Sequence, residues 1–278
     1  MKKKVLLSIV SILCVAVALF AVACSGQKGE VISLTKQTDI FIELNSGKAD
    51  VGVMDSVMAG YYVKQADSMS KDLQIASGIN LGDEKYGIGF RKGSAIVDKV
   101  NTELAKLAKD GTVKAIAETY GLTESLLDVD YTSKWDSIAD KSDWETVKAN
   151  GTIKMGYTVF APIAFDKGGK LVGFDIELAT KVFNNIGLKV EFVEINWDTK
   201  LIELKDKKID CIWNGMTITD DLAKAIDFST PYMANKQCAV VKKSNADKYK
   251  TIEDIKNVRI AVESGSAGEM VVQALLKK

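Results

Sequence analysis

The 278-residue chain contains no histidine, two prolines and four cysteines. Each shortage excludes something. Without histidine there is no Ser-His-Asp or Cys-His nucleophilic machinery and no imidazole-ligated metal. Pro162 and Pro231 are too few for a proline-rich linker, and no period suggests tandem repeats. The net charge is zero, with no excess of lysine and arginine to build a basic face for nucleic acid. Cys211 and Cys238 sit inside the apolar runs IDCIW and QCAVV. They read as buried free thiols, and their spacing lends no support to a disulfide.

One long apolar run is present. It covers residues 5–23, directly after Lys2, Lys3 and Lys4, which is the layout of an export signal. It ends in Ala21-Val22-Ala23-Cys24, followed by Ser25-Gly26-Gln27. This resembles a lipobox, where lipoprotein signal peptidase cuts before a cysteine that has received a diacylglyceryl group; Ala21 stands where that motif prefers leucine. A run of about 19 apolar residues is also just long enough to span a bilayer of roughly 30 Å, so an uncleaved helix is the alternative. Both readings put the folded part outside the cytoplasm and tethered to the membrane. The expected division is a signal peptide at 1–23 and a linker at 24–29, lipidated at Cys24. Removing the signal takes three lysines and leaves 34 basic against 37 acidic residues, about −3. The remaining length of about 255 residues suffices for two lobes.

Strand-like and helix-like segments alternate through the rest of the chain. VISL (31–34), VGVM (51–54), GIGF (87–90), TIKMGYT (152–158), KVEFVEI (189–195), IDCIW (209–213), CAVV (238–241) and RIAV (259–262) are short and β-rich. Residues 39–47, 100–111, 175–187 and 267–278 carry apolar side chains at three-to-four spacing. Such alternation predicts an α/β fold with mainly parallel sheets. The acidic stretch 128–143 lacks clear periodicity and reads as a linker or surface loop.

From residue 144 onward, GYTVFAPIAF (156–165), GFDIELA (173–179), KKIDCIWNGMTIT (207–219), DFSTPYM (227–233) and ESGSAGE (263–269) follow one another. This order resembles the first half of a family 3 extracellular solute-binding protein, the amino-acid-binding group of ABC importers. GKADVGVMDS (47–56), KYGIGFRKG (85–93) and LAKDGTVKAIAETYGL (107–122) resemble the second half of the same family. Here the second half comes first, so the resemblance implies a circularly permuted, two-lobed periplasmic-binding-protein-like (type II) fold; a fusion of two unrelated half-proteins is the runner-up. The implied hinge strands pass near residues 234–236 and 82–86. Lobe I is then 85–235, and lobe II is built from both ends, 30–84 and 236–278. The strand opening at Val31 is expected to share a sheet with residues 259–262 and not with 152–158.

The resemblance also implies a site. An amino acid offers an ammonium, a carboxylate and an identifying side chain, and a closed cleft must satisfy each because it excludes water. Phe160 and Trp197 fall where the family stacks aromatic rings on its ligand. Asp55 matches the ammonium-binding aspartate, with an ordinary helix N-cap as the plainer reading. Gly215 would offer its carbonyl to the same ammonium, with Asn214 and Thr217 beside it. Tyr157 belongs to the same set, and Ser266 matches the residue whose N–H meets the carboxylate at a helix N-terminus. One departure matters: where the family's T-x-T-x-x-R pattern has a carboxylate-binding arginine, this chain has Leu222. Lys236 or Lys200, or helix N–H groups, would have to substitute, unless the ligand has no carboxylate.

The implied protein is a monomeric binding lipoprotein on the outer face of the cell membrane. It would have an ABC permease as partner, no catalytic residue, no cofactor and no metal. A ligand-sensing subunit for a membrane receptor, or a dehydratase-type enzyme on the same fold, are the alternatives; no carboxylate or lysine in the sequence is singled out as a general acid or base. The anchor is directly testable. Wild-type protein is expected in the membrane fraction with a lipid on Cys24, and Cys24→Ser in the soluble fraction or unprocessed. An intact mass that still includes residues 1–23 in wild type would rule the lipoprotein out.

Overall fold

The computed structural model describes residues 29–65 and 69–277. The expected signal segment and Cys24 lie outside them. Among the described residues no helix is long and apolar enough to cross a membrane. In chain order the elements are β1 (Glu30–Leu34), α1 (Asp39–Ser46), β2 (Val51–Asp55), α2 (Ser56–Gln65), β3 (Leu73–Arg91), α3 (Ile96–Lys109) and α4 (Thr112–Tyr120). After a long irregular segment come α5 (Ser142–Asn150), β4 (Thr152–Tyr157), β5 (Phe165–Asp166), β6 (Leu171–Val172), α6 (Phe174–Asn185), β7 (Lys189–Glu194), α7 (Lys200–Lys205) and β8 (Cys211–Thr217). The chain finishes with α8 (Asp220–Ala225), β9 (Ile226–Phe228), β10 (Met233–Lys242), β11 (Arg259–Glu263) and α9 (Ala267–Leu276).

Strand composition follows position. Every residue of β2 is buried, as expected where parallel strands are covered on both faces, and its sequence VGVMD is apolar but for the last residue. In α3 the buried Ile96, Val100, Leu104 and Leu107 recur at three-to-four spacing and form one apolar stripe. In α6, Phe174, Leu178 and Val182 do the same. Trp213 of β8 is fully buried against Phe183 and Tyr232, with ring centroids 5.8 and 6.1 Å away. Burying a side chain of this class contributes about 1.5–3 kcal/mol.

All the strands except β5 and β6, which pair with each other, form one sheet in the order β1-β11-β2-β10-β3-β8-β4-β7, with β9 beside β3. The expectation of a separate sheet for residues 152–158 is therefore corrected. The physical reason is the length of β3, 19 residues, which pairs with β10 along one side and with β8 and β9 on the other. This single strand carries the hydrogen-bond ladder from one half of the sheet into the other. The expected hinge positions lie side by side within it: Ala234 pairs with Lys85, Asn235 with Glu84 and Lys236 with Asp83.

β1 runs parallel to β11, with Val31 opposite Ile260. Gly29 donates its N–H to the Lys256 carbonyl at 3.0 Å, and a Cβ added there would lie 2.9 Å from Leu276 Cδ2. The two ends of the described chain are thus neighbours. The stretch expected to be a linker or loop is irregular but firmly held. Asp98 on α3, almost fully buried, accepts hydrogen bonds from Tyr131 Oη, Ser133 Oγ and the Lys134 N–H at 2.8, 2.8 and 2.6 Å. Lys99 Nζ sits 3.5 Å from the centre of the Trp135 ring.

A prediction follows for relinking. A chain running from Asp140 to Lys278, through two glycines, and on from Gly29 to Ala139 is expected to fold with little change in stability. Loop-closure entropy varies slowly with length, and this cut spares the contacts to Asp98. A far-ultraviolet spectrum or thermal transition showing an unfolded product would contradict it.

Candidate ligand-binding cleft

β1 and β7 stand at opposite ends of the strand order, yet their neighbourhoods meet. Lys36, just beyond β1, pairs with Glu194 of β7 at 3.2 Å. Lys200 Nζ, on α7, donates to the Gly265 carbonyl, just before α9, at 2.8 Å. The sheet therefore doubles over at β3 and β10, and its two halves line a narrow cavity of about 20 Å³.

The floor comes from the half holding β2 and β11. It presents Gln37, Asp55, Glu263, Ser266 and Ala267. Asp55, at the C-terminal end of β2, is buried, and a buried carboxylate is tolerable only when its oxygens accept hydrogen bonds. Oδ1 accepts from Tyr86 Oη and from Asn235 Nδ2, both at 2.6 Å, and Oδ2 accepts from Gln37 Nε2 at 2.8 Å. Gln37 Nε2 reaches Glu263 Oε2 as well, at 3.3 Å. Behind Asp55, Glu84 accepts from Asn235 and, at 2.9 Å, from Gln237 Nε2, while its other oxygen takes the Thr217 hydroxyl at 3.0 Å. The Ser266 hydroxyl caps α9 by accepting the Glu269 N–H at 3.1 Å, and Glu269 returns a carboxylate oxygen to the Gly265 N–H at 2.8 Å.

The roof comes from the other half: Thr158, Val159, Phe160, Trp197, Asn214, Gly215 and Thr217. Gly215 has φ +60°, and a Cβ there would lie 2.6 Å from Phe160 Cε1, so glycine is required for both backbone and space. Its N–H is held by Asp175 Oδ2 at 2.9 Å, which also accepts from Tyr232 Oη at 2.9 Å. Asp175, wholly buried at the start of α6, thereby sets the strand bend that brings Gly215 to the cavity. The Asn214 amide lies 2.8 Å from the Thr158 hydroxyl. Lys200, almost fully buried, donates to the Trp197 carbonyl at 3.0 Å as well as to Gly265, and its Nζ is 4.8 Å from the Trp197 ring centre.

Electrostatics on the floor are lopsided. Burial, reinforced by the Asp55 charge, pushes the carboxyl groups of Glu84 and Glu263 up to about 8. Burial alone drives Asp175 up to about 7, against the pull of its hydrogen-bond donors. Burial also lowers Lys200 to about 8, with the Glu263 charge opposing it.

Of the residues expected in the site, Asp55, Phe160, Trp197, Asn214, Gly215, Thr217 and Ser266 line the cavity. Tyr157 does not: its ring packs edge-on against Phe192, with centroids 6.4 Å apart, and Thr158 takes the lining position. Leu222 packs against the apolar cluster that holds Trp197, outside the lining. Lys236, weighed as a carboxylate partner, lies outside the lining and on the exposed face of β10. The residues not foreseen are Gln37, Glu84, Tyr86, Asp175, Asn235, Gln237 and Glu263. A polar residue on an otherwise apolar strand was a usable signal for Gln237 and for Glu263. Gln37 sits in a loop whose sequence carries no such mark. Cys211 and Cys238 are both buried and unbonded.

Residues 153–272 match the pattern of bacterial extracellular solute-binding proteins, family 3. Over this stretch the chain is similar to that family. The L-cystine-binding protein TcyJ of Escherichia coli is 36% identical over 132 residues, 47% of this chain and 50% of that protein. The ABC transporter arginine-binding protein 1 of the same organism is 32% identical over 126 residues, 45% and 50% of the two chains. This chain thus spans about half the length of the curated relatives it matches. Among solved structures, an ancestral amino-acid-binding protein, a precursor of cyclohexadienyl dehydratase, is 37% identical over 49% of this chain and 62% of its own, with a TM-score of 0.45. A histidine-bound ABC uptake transporter substrate-binding protein from Streptococcus pneumoniae is 40% identical over 32% and 37%, with a TM-score of 0.31.

The raised carboxyl groups predict a pH dependence. Glu84 and Glu263 ordinarily titrate near 4.5 and Asp175 near 3.8, so between those values and 7–8 the folded state holds protons that the unfolded chain releases. Their contribution is complete below the unfolded values and is lost as pH rises through the folded ones. The ligand-free protein is expected to melt at progressively lower temperature from pH 5 to pH 8, and Glu263→Gln should flatten part of that slope. Melting temperatures that rise across this window would show that the floor is not protonated.

Proposed function

We propose that this chain is the extracytoplasmic substrate-binding lipoprotein of an ABC importer, anchored through Cys24, which closes two lobes on an amino acid or a related small amine-bearing solute. The observation that carries the reading is the enclosed cavity at the fold of the sheet, with Asp55 on its floor and Phe160 and Trp197 on its roof. A carboxylate supplies an ammonium partner and the rings cover an aliphatic stem. The names of the relatives, which include cystine- and arginine-binding proteins, point to the same solute class. An ABC permease is the partner this role requires. The lobes are assigned as 85–235 for one and 30–84 with 236–278 for the other.

The same reading treats the chain as a circular permutant of the family. Its support is the parallel pairing of β1 with β11, the contact of Gly29 with Leu276, and a match that covers half of each relative. The relinked chain described above is its test.

A thermal-shift screen of amino acids, amines and dipeptides is expected to return at least one solute that stabilises the protein; at 100 times Kd the gain is about 2.7 kcal/mol. For that solute, Asp55→Asn and Trp197→Ala are each expected to weaken binding by about 2–4 kcal/mol, as for a buried charge partner and a stacking anchor. Affinity unchanged in both variants would place the site elsewhere.

A further inference from the structure

The cleft has a charge and hydrogen-bond inventory that its general role does not require. Two carboxyl groups, those of Asp55 and Glu263, line its floor with Glu84 behind Asp55, while neither lysine nor arginine lines it. The nearest ammonium, Lys200, is spent on two backbone carbonyls. The neutral side chains are spent too. Gln37, Asn235, Gln237 and Tyr86 all turn their N–H or O–H donors onto the carboxylates. Gln237, almost wholly buried, keeps an Oε1 that has no partner. What the floor offers a ligand is therefore mainly acceptors and negative charge, with the Ser266 hydroxyl as its one side-chain donor without an acceptor among the described residues.

The site lacks a counterpart for an anion. The N-terminus of α9 lies on the lining, and Glu269 already sets a carboxylate against it, on the Gly265 N–H. Leu222, packed in an apolar cluster, adds no charge. A ligand carboxylate brought into this cavity would lose its water with no cation to meet it and three carboxyl groups nearby, an arrangement that costs far more than it returns. Among the described residues no group of three metal-ligating side chains converges, so the charge inventory suits an organic cation with several N–H donors.

We propose that the solute captured here is a small organic cation without a carboxylate, a primary amine or guanidine whose charged head sits against Asp55 and Glu263 with its carbon stem between Phe160 and Trp197. This rests on the binding-protein reading above and narrows its ligand. The pushed-up carboxyl groups agree with it, since an empty floor holds protons that an arriving cation displaces.

The test uses pairs of compounds that differ only by the carboxylate: putrescine against ornithine, cadaverine against lysine, and agmatine against arginine. Each is titrated by calorimetry into the full-length protein in detergent at pH 8. In at least one pair the decarboxylated member is expected to bind at least tenfold more tightly than the amino acid. Glu263→Gln is expected to reduce that preference by about tenfold, with its thermal transition confirming that it folds. An amino acid that binds as tightly as its amine, or more so, overturns the inference and leaves the binding-protein reading intact. An unchanged preference in folded Glu263→Gln overturns the assignment of the charged head. If no pair binds, the inference falls, and neutral amino acids and dipeptides in the same assay then decide whether the binding-protein reading falls with it.

Discussion

Everything in this cleft depends on keeping one carboxylate dry. Asp55 ends a strand that is buried along its whole length, and an ion in that position needs all its lone pairs met. The donors that meet them come from Gln37 after β1, Tyr86 on β3 and Asn235 on β10. Those residues belong to widely separated parts of the sequence and to the strands that run between the two halves of the sheet. The demand of a single buried charge thus couples the floor of the cavity to the strands on which the halves would turn.

The roof answers a different constraint. Gly215 must carry no side chain because Phe160 and Tyr86 occupy the space, and it must adopt a left-handed backbone that Asp175 fixes from behind. The aromatic surface and the backbone that flanks it are therefore set by one buried acid on each side of the cavity: Asp55 below and Asp175 above. Both are at element ends, where a strand or helix terminus presents a side chain into a crevice rather than into a layer.

Much of this was legible in the residues. VGVM, TIKMGYT, KVEFVEI and RIAV became β2, β4, β7 and β11 because short β-branched runs between polar turns have few other ways to bury themselves. The aromatic and glycine positions of the cleft followed from motif order. The first half of β3 did not show itself: residues 73–86 mix Gly78, Gly82 and charged side chains, since that part of the strand is half-exposed and bends between the two halves of the sheet. Gln37, Glu84 and Asn235 were equally silent. Each is an ordinary polar residue in isolation and gains its role only from three-dimensional convergence on Asp55. Residues 128–143 looked like a linker for the opposite reason, because contacts to Asp98 and Lys99 hold them without any periodic pattern.

The pairing of β1 with β11 has a consequence for how the molecule comes to exist. Val31 and Ile260 lie more than 200 residues apart in the chain, and the outer strand of that half-sheet has no hydrogen-bonding neighbour until β11 has been made. The second half of β3 and the strands β4, β7, β8 and β9 find their partners within one contiguous stretch, whereas β1 and β2 wait for β10 and β11. Exposed edges of that kind invite mispairing, and contacts of such separation form slowly. Folding deferred until both strands are present would spare this chain the interval in which its earliest strand is exposed and its partner is absent.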